Sequence, residues 1–397
     1  MVRHACLFSQ LVGLFNRQRF HELVYRHRAE RYAKGFSSWD HFVAMLFCQI
    51  GQAKSLREIS GGLASSLGKL RHLGVKASPN KSTLSYANAH RPWQLFQDLF
   101  YETLHWCQLA APGKISKFRF KNKLLSMDSS TISLCLSLFP WAKFRRTKGA
   151  VKLHLLLDHD GYLPSFACIT DGKKADVHIA RIVSLGPGSI IVMDRGYNDY
   201  ELFANWTRTG VYFVTRLKDN ADYIVIEQHP VAAHKHIVSD ETIFFAAEKA
   251  QKKCPFPLRR IVVTDPDSGK AIALLTNHFE FAASTIGAIY KDRWQIELFF
   301  KALKQNLRVK TFVGTTENAL YIQIWTALIA MLLIKFMRFK AAIAWSLSNL
   351  VAFLRWNLFT YRDLWQWLDR PEDTPPLEPP PSQQPLPFRG LGQQILT

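Results

Sequence analysis

Apolar residues recur at three- and four-residue spacing over 39–50, 55–63 and 92–109, and no long strand-like run interrupts them before residue 110. This pattern predicts an all-helical region over 1–112. Between its helices, the polar stretch 77–83 ends in Ser82 and Thr83, a good cap for a helix starting near Thr83. After residue 123 the texture changes. Aliphatic and β-branched runs at 124–134, 151–158, 163–170 and 189–194 predict strands, punctuated by Asp160-Gly161 and Gly186-Pro187-Gly188. Helical spacing returns at 175–184 and 200–209, before a further strand at 212–217.

Three strands, helix, strand, helix, strand is the ribonuclease H-like α/β order, so the expected fold class is α/β with a core of that kind behind a helical N-terminal domain. The linker between them is 113–123, where five basic residues are interleaved with Phe118 and Phe120. The core itself spans 124–217 and 285–340. Short strand candidates at 223–227, 243–246, 258–264 and 271–276 read as a β-rich insertion over 218–284. A long helix is expected over 285–306 and an apolar one over 317–338, followed by a helical region, 341–370. The tail, 371–397, holds 8 of the 18 prolines and reads as extended or disordered.

Charge narrows the function. The 397-residue chain carries a formal net charge of +20 and a pI near 9.8, a field that gathers polyanions before any specific contact forms. Of its 51 basic residues, 19 lie in 1–123 with only 6 of the 31 acidic ones. Nucleic acid is the leading partner class, and the 77–83 loop with the helix after it could place a helix in a major groove. A basic helical bundle with no reading helix fits the same residues. Six scattered cysteines contain no C-x-x-C pair and read as buried thiols of a reducing cytosol. The start of the chain shows no signal-peptide pattern. The apolar run 319–334, broken by Gln323 and Thr326, is shorter than the roughly 20 residues a bilayer needs and reads as a core helix, so no membrane partner is expected.

Three acids stand out by position. Asp128 lies inside an apolar strand, and Asp194 closes Ile190-Ile191-Val192-Met193. A carboxylate there costs several kcal/mol unless it is paired, hydrogen-bonded or bound to a cation. In a sheet of the expected order these strands are neighbours, and two such carboxylates repel unless a divalent cation sits between them. Either aspartate taken alone reads first as a strand-end cap of the next loop. On the 285–306 helix, Tyr290, Arg293, Glu297, Lys301 and Lys304 share one narrow arc of an otherwise apolar cylinder. That stripe suits a third metal ligand flanked by phosphate-binding groups, and a salt-bridge ladder from Arg293 to Glu297 to Lys301 fits it as well.

Tyr290, Arg293, Glu297 and Lys304 are similar to the Y-x2-R-x3-E-x6-K signature of the bacterial insertion-sequence transposases in the IS-four family of DDE enzymes. Met127-Asp128-Ser129-Ser130-Thr131-Ile132 resembles the first catalytic block of that family and Val192-Met193-Asp194-Arg195-Gly196-Tyr197 the second. The stretches 138–144, 148–154 and 81–88 also resemble it. The resemblance implies a DNA transposase that cleaves element ends and joins them to target DNA. It implies a triad of Asp128, Asp194 and Glu297 holding two Mg²⁺ ions, with Mn²⁺ as a substitute, and phosphates held by Tyr290, Arg293 and Lys304. It further implies a homodimer on DNA in a bacterial, nucleoid-associated cytoplasmic setting. A structure-specific nuclease of the same fold, or an inactive transposase remnant that only binds DNA, are the rival readings.

Lesser candidates complete the list. Arg146 and Lys148, in a basic cluster with Lys143, Arg145 and Lys152, are expected DNA contacts, as are Lys81 and Thr83. Asp171 is the expected alternative carboxylate near the site. Trp206 reads as core, and His234 and His236 as solvated histidines.

Overall fold

The structure is a computed structural model that describes residues 5–31, 33–66, 69–111, 117–146, 148–231, 236–264 and 269–377. The expected proline-rich tail past Leu377, linker residues 113–116 and His234 lie outside the described residues. Six helices come first: α1 (Leu7–Val12), α2 (Arg17–Arg26), α3 (Ser38–Ile50), α4 (Leu56–Ala64), α5 (Lys81–His90) and α6 (Gln94–Ala110). Local chemistry starts several of them. Asn16 accepts from the Gln18 and Arg19 N–H groups, and Ser37 with Asp40 closes a reciprocal capping box on α3. α5 begins at Lys81, earlier than expected, and the Asn80 side chain makes no cap bond there.

The sheet follows. Its first strands are β1 (Leu124–Leu134), β2 (Lys143–Arg145), β3 (Lys148–Asp158) and β4 (Leu163–Asp171), then α7 (Asp176–Ile182), β5 (Ile190–Met193), α8 (Tyr200–Arg208) and β6 (Tyr212–Arg216). β3 pairs antiparallel with β1, while β1, β5 and β6 run parallel, in register at Met127 with Met193 and Val192 with Val214. Next come β7 (Tyr223–Gln228), β8 (Ile237–Phe245), α9 (Glu248–Lys253), β9 (Leu258–Thr264) and β10 (Ala271–Thr276). Because β10 pairs with β6, these strands continue the same sheet, in the order β2-β3-β1-β5-β6-β10-β9-β8-β7 with β4 also on β3. β8 starts six residues before its apolar run. Its polar half is held by Asp240, which is buried against Arg259 with a 2.6 Å ion pair.

The expected single helix over 285–306 is instead two, α10 (Ala283–Asp292) and α11 (Trp294–Asn306). At the break the Arg293 N–H bonds the Tyr290 carbonyl and the Ile296 N–H bonds the Arg293 carbonyl, both three residues apart, so the turn tightens. Asp292, the residue before the break, is buried and meets His159 at 2.8 Å. The chain ends in α12 (Glu317–Lys340), α13 (Leu347–Asn357) and α14 (Leu364–Asp369).

α12 has the length and hydropathy of a membrane span, yet 89% of its most apolar window is buried inside the molecule. It packs among α3, α6 and α13, and every residue of α3 is buried. The N-terminal helices therefore do not close a core of their own; one apolar cluster runs from Phe8 and Phe42 through Trp325 to Trp367 and reaches Leu153 and Leu155 on the sheet. Backbone bonds from Leu7 to Thr360 and from Phe8 to Leu358 tie the two ends of the chain together. On the sheet, Leu125, Met127, Ile191 and Met193 face Phe203 and Trp206 of α8, while Leu124, Val192 and Val214 face Ile286 and Ile289 of α10. Trp206 is core, as expected.

Candidate active site

Strand alternation decides where the aspartates point. With Met127 and Met193 paired and facing α8, the next residues, Asp128 and Asp194, project side by side toward the α10–α11 face. Asp128 follows the buried Met127, and its Oδ1 accepts the Ser129 N–H at 2.8 Å. Burial, with Glu297 and Asp194 nearby, pushes its carboxyl up to about 6, against the opposing pull of that N–H and of Arg293.

α11 delivers the rest. Glu297 accepts from Arg293 Nη2 at 2.6 Å, and the Arg293 side chain is only 13% exposed. The Arg293 Nε is buried with no hydrogen-bond partner, and its guanidinium lies 5.6 Å from the Tyr290 ring. Burial raises the Tyr290 phenol, with Arg293 opposing and Asp194 reinforcing the shift. Lys304 donates to the Thr131 carbonyl of β1 at 3.2 Å; burial and Lys310 lower its ammonium, and Asp128 works the other way. Asp128, Asp194, Tyr290, Arg293, Glu297 and Lys304 thus form one electrostatic cluster. Lys301, on the same arc, stays exposed.

Among the described residues no three Asp, Glu, His or Cys side chains are drawn together as a finished cation site, and Glu297 is turned onto Arg293. The donor set nevertheless suits a hard divalent cation. Asp128 and Asp194 lie side by side at the end of neighbouring strands, Glu297 is within electrostatic reach, and the Asp128 carboxyl is raised by burial first and by those two charges after it.

Asp171, the expected alternative carboxylate, is exposed and accepts the Lys173 and Lys174 N–H groups of a turn. The acid beside the site is Asp176, which accepts from Ser129 Oγ at 2.9 Å and Lys152 Nζ at 3.0 Å. Lys152 is thereby an internal partner, not part of an exposed cluster. Tyr197, the 2% exposed last residue of the second family-like block, was given no role from the sequence; burial and then Asp128, Asp176 and Asp194 raise its phenol. Its one sequence signal is its place three residues after Asp194. Arg146 and Lys148 lie exposed at the β2–β3 edge. Lys81 is exposed and Thr83 half-buried on the first turn of α5, where Ser82, Thr83, Tyr86 and His90 line an open groove with Arg28 and Lys34.

Residues 119–333 match the family described as Transposase DDE domain, and residues 3–76 match a domain of unknown function, DUF4372. The chain is 32% identical over 306 residues to y4zB of Sinorhizobium fredii, a protein named as a transposase, covering 76% of this chain and 83% of that one. It is 29% identical over 260 residues to a Geobacillus stearothermophilus protein named as the transposase of insertion sequence element IS5377, covering 64% and 67%. Transposase InsG for insertion sequence element IS4 of Escherichia coli is 24% identical over 206 residues, covering 48% and 45%.

Proposed function

Because the chain belongs to the DDE transposase family it is a DNA transposase, and we propose that Asp128, Asp194 and Glu297 are its catalytic carboxylates. The observation that carries this reading is the placement of Asp128 and Asp194 on paired parallel strands, on the face where α11 brings Glu297 within electrostatic reach. Strand order supports a ribonuclease H-like core: β3 antiparallel to β1, then β1, β5 and β6 parallel. The signature at Tyr290, Arg293, Glu297 and Lys304, together with the IS4 relative, supports placement in the IS-four group.

DDE transposases generally use divalent metal ions, and we assign these three carboxylates to hold two Mg²⁺. When bound, such ions sharpen an attacking oxygen and stabilise the leaving one in an in-line phosphoryl transfer. The protein's own groups do the remaining work. Arg293 binds a phosphate near the scissile bond through the guanidinium N–H groups that its single bond to Glu297 leaves over. Lys304 adds a second cation on the same face, and the Tyr290 ring lies within cation–π range of the guanidinium. No covalent enzyme intermediate is needed, since the joining step is attack by a DNA hydroxyl. Lys81, Thr83, Arg146 and Lys148 contact the duplex away from the chemistry, on a dimer that holds two ends. The test is cleavage by the full chain, with Mg²⁺, of duplexes carrying the inverted repeats that flank its own gene. Nicks at the repeat boundary support the reading, and equal nicking of random duplex contradicts it.

A further inference from the structure

A second polar chain lies beneath the site, wholly inside the protein. Ser126 Oγ is 2.6 Å from His159 Nε2, and His159 Nδ1 is 2.8 Å from Asp292 Oδ2. The three residues are 0%, 4% and 4% exposed. With Nδ1 against a carboxylate, the neutral ring carries its proton there, and Nε2 accepts the Ser126 O–H. The order Ser–His–Asp is that of a hydrolase triad, but no substrate reaches a serine this deeply buried. Its role must lie in what it connects.

Ser126 stands two residues before Asp128 on the same face of β1. His159 is pinned to that strand again by its backbone N–H, which bonds the Leu124 carbonyl at 3.1 Å. Asp292 is the last residue of α10, next to Arg293, which in turn grips Glu297. Further groups converge on the same carboxylate. Tyr162, held at φ 52° in the left-handed region that an aromatic residue rarely adopts, donates to Oδ2 at 3.3 Å, and Lys117 Nζ lies 3.4 Å from Oδ1. The chain accepts a broken helix and a left-handed tyrosine to make this junction.

We propose that His159 and Asp292 are positioning residues: the buried Ser126–His159–Asp292 chain locks the α10–α11 break against β1 and so sets the spacing of Glu297 from Asp128. This rests on the carboxylate assignment made above. None of the three bonds Asp128, Asp194 or Glu297 directly, so the effect comes through geometry, and a displacement of about 1 Å at a reacting centre costs on the order of a hundredfold.

The experiment is a Mn²⁺ titration of the full chain by electron paramagnetic resonance, paired with Mg²⁺-dependent end cleavage and with end-DNA affinity in EDTA. Ser126→Ala and Asp292→Ala are expected to raise the Mn²⁺ midpoint and slow cleavage by about tenfold or more, with DNA affinity unchanged. Asp292→Asn keeps an acceptor for the His159 N–H and is expected to restore the Mn²⁺ midpoint to within about threefold of wild type. A merely structural role would lower melting temperature and DNA binding together and show no such rescue. If Asp292→Ala does not fold, Ser126→Ala, which removes one hydroxyl, decides the matter. A wild-type Mn²⁺ midpoint in Ser126→Ala, while Asp128→Asn weakens Mn²⁺ binding, overturns the positioning role alone. An unaltered midpoint in Asp128→Asn overturns the carboxylate assignment and the positioning role with it.

Discussion

Arg293 holds Glu297 at 2.6 Å across the start of α11, and the same guanidinium acts on Asp128. One cation therefore bridges the strand that carries the first carboxylate and the helix that carries the third. Exposed pairs at this spacing contribute about 0.3–0.5 kcal/mol. This one is different, because its arginine is nearly enclosed and leaves Nε unbonded.

Removing that clamp should therefore cost chemistry. Arg293→Ala and Lys304→Ala are expected to fold, to cut end cleavage by about a hundredfold, and each to reduce the salt slope of end binding by about one. Lys301→Ala, on the same arc but exposed, should change cleavage by less than about threefold. Gel assays over a salt series measure all three. Equal and mild effects would return the stripe to a salt-bridge ladder.

The Asp128 carboxyl predicts a pH signature without metal. Its folded pKa of about 6 lies above the ordinary 3.8, so between those values the folded state binds the extra proton. Its contribution to stability is thus fully present below about pH 4 and lost as pH rises through 6. In EDTA, Asp128→Asn should be more stable than wild type at pH 7.5, by on the order of 3 kcal/mol, and the gap should close toward pH 4. Thermal melts across pH 4–8 measure it, and parallel profiles for the two proteins would count against a desolvated Asp128 carboxylate.

How far the sequence was legible depended on the range of the forces involved. The strands at 124–134, 258–264 and 271–276 have the expected bounds, because the apolar residues in each are the ones that pack into the core. The first half of β8 was hidden, since Asp240 is tolerated there only through Arg259, nineteen residues away. The break at Arg293 was equally invisible: the partners of Asp292 sit at positions 117, 159 and 162. For the same reason the neighbouring acid was expected at Asp171 and found at Asp176, whose partners Ser129 and Lys152 come from adjacent strands. That Asp128 and Asp194 lie on neighbouring strands was legible, because a charge within or closing an apolar run is costly in any fold.

The shared core carries a prediction about the N-terminal region. A fragment of residues 1–112 would expose the faces of α3 and α6 that α12 covers in the full chain. It should show no cooperative melt by calorimetry and should aggregate, while the full chain melts cooperatively. A soluble, cooperatively folding fragment would show that these helices are an independent domain.

Duplex contacts outside the catalytic face should act through charge. Lys81→Ala and Lys148→Ala are each expected to weaken end binding about two- to fivefold at moderate salt and to leave the rate of cleavage of bound DNA unchanged. Single-turnover assays at saturating enzyme separate the two quantities. A slowed single-turnover rate would place these lysines in the chemistry instead.

The central assignment is tested most directly by Glu297→Gln, a near-isosteric change that removes charge from one residue of α11. Cleavage of element-end duplex in Mg²⁺ is measured alongside end binding in EDTA. The account predicts binding within about twofold of wild type and cleavage down by about a thousandfold or more. Nicking by Glu297→Gln at more than a few per cent of the wild-type rate would contradict it.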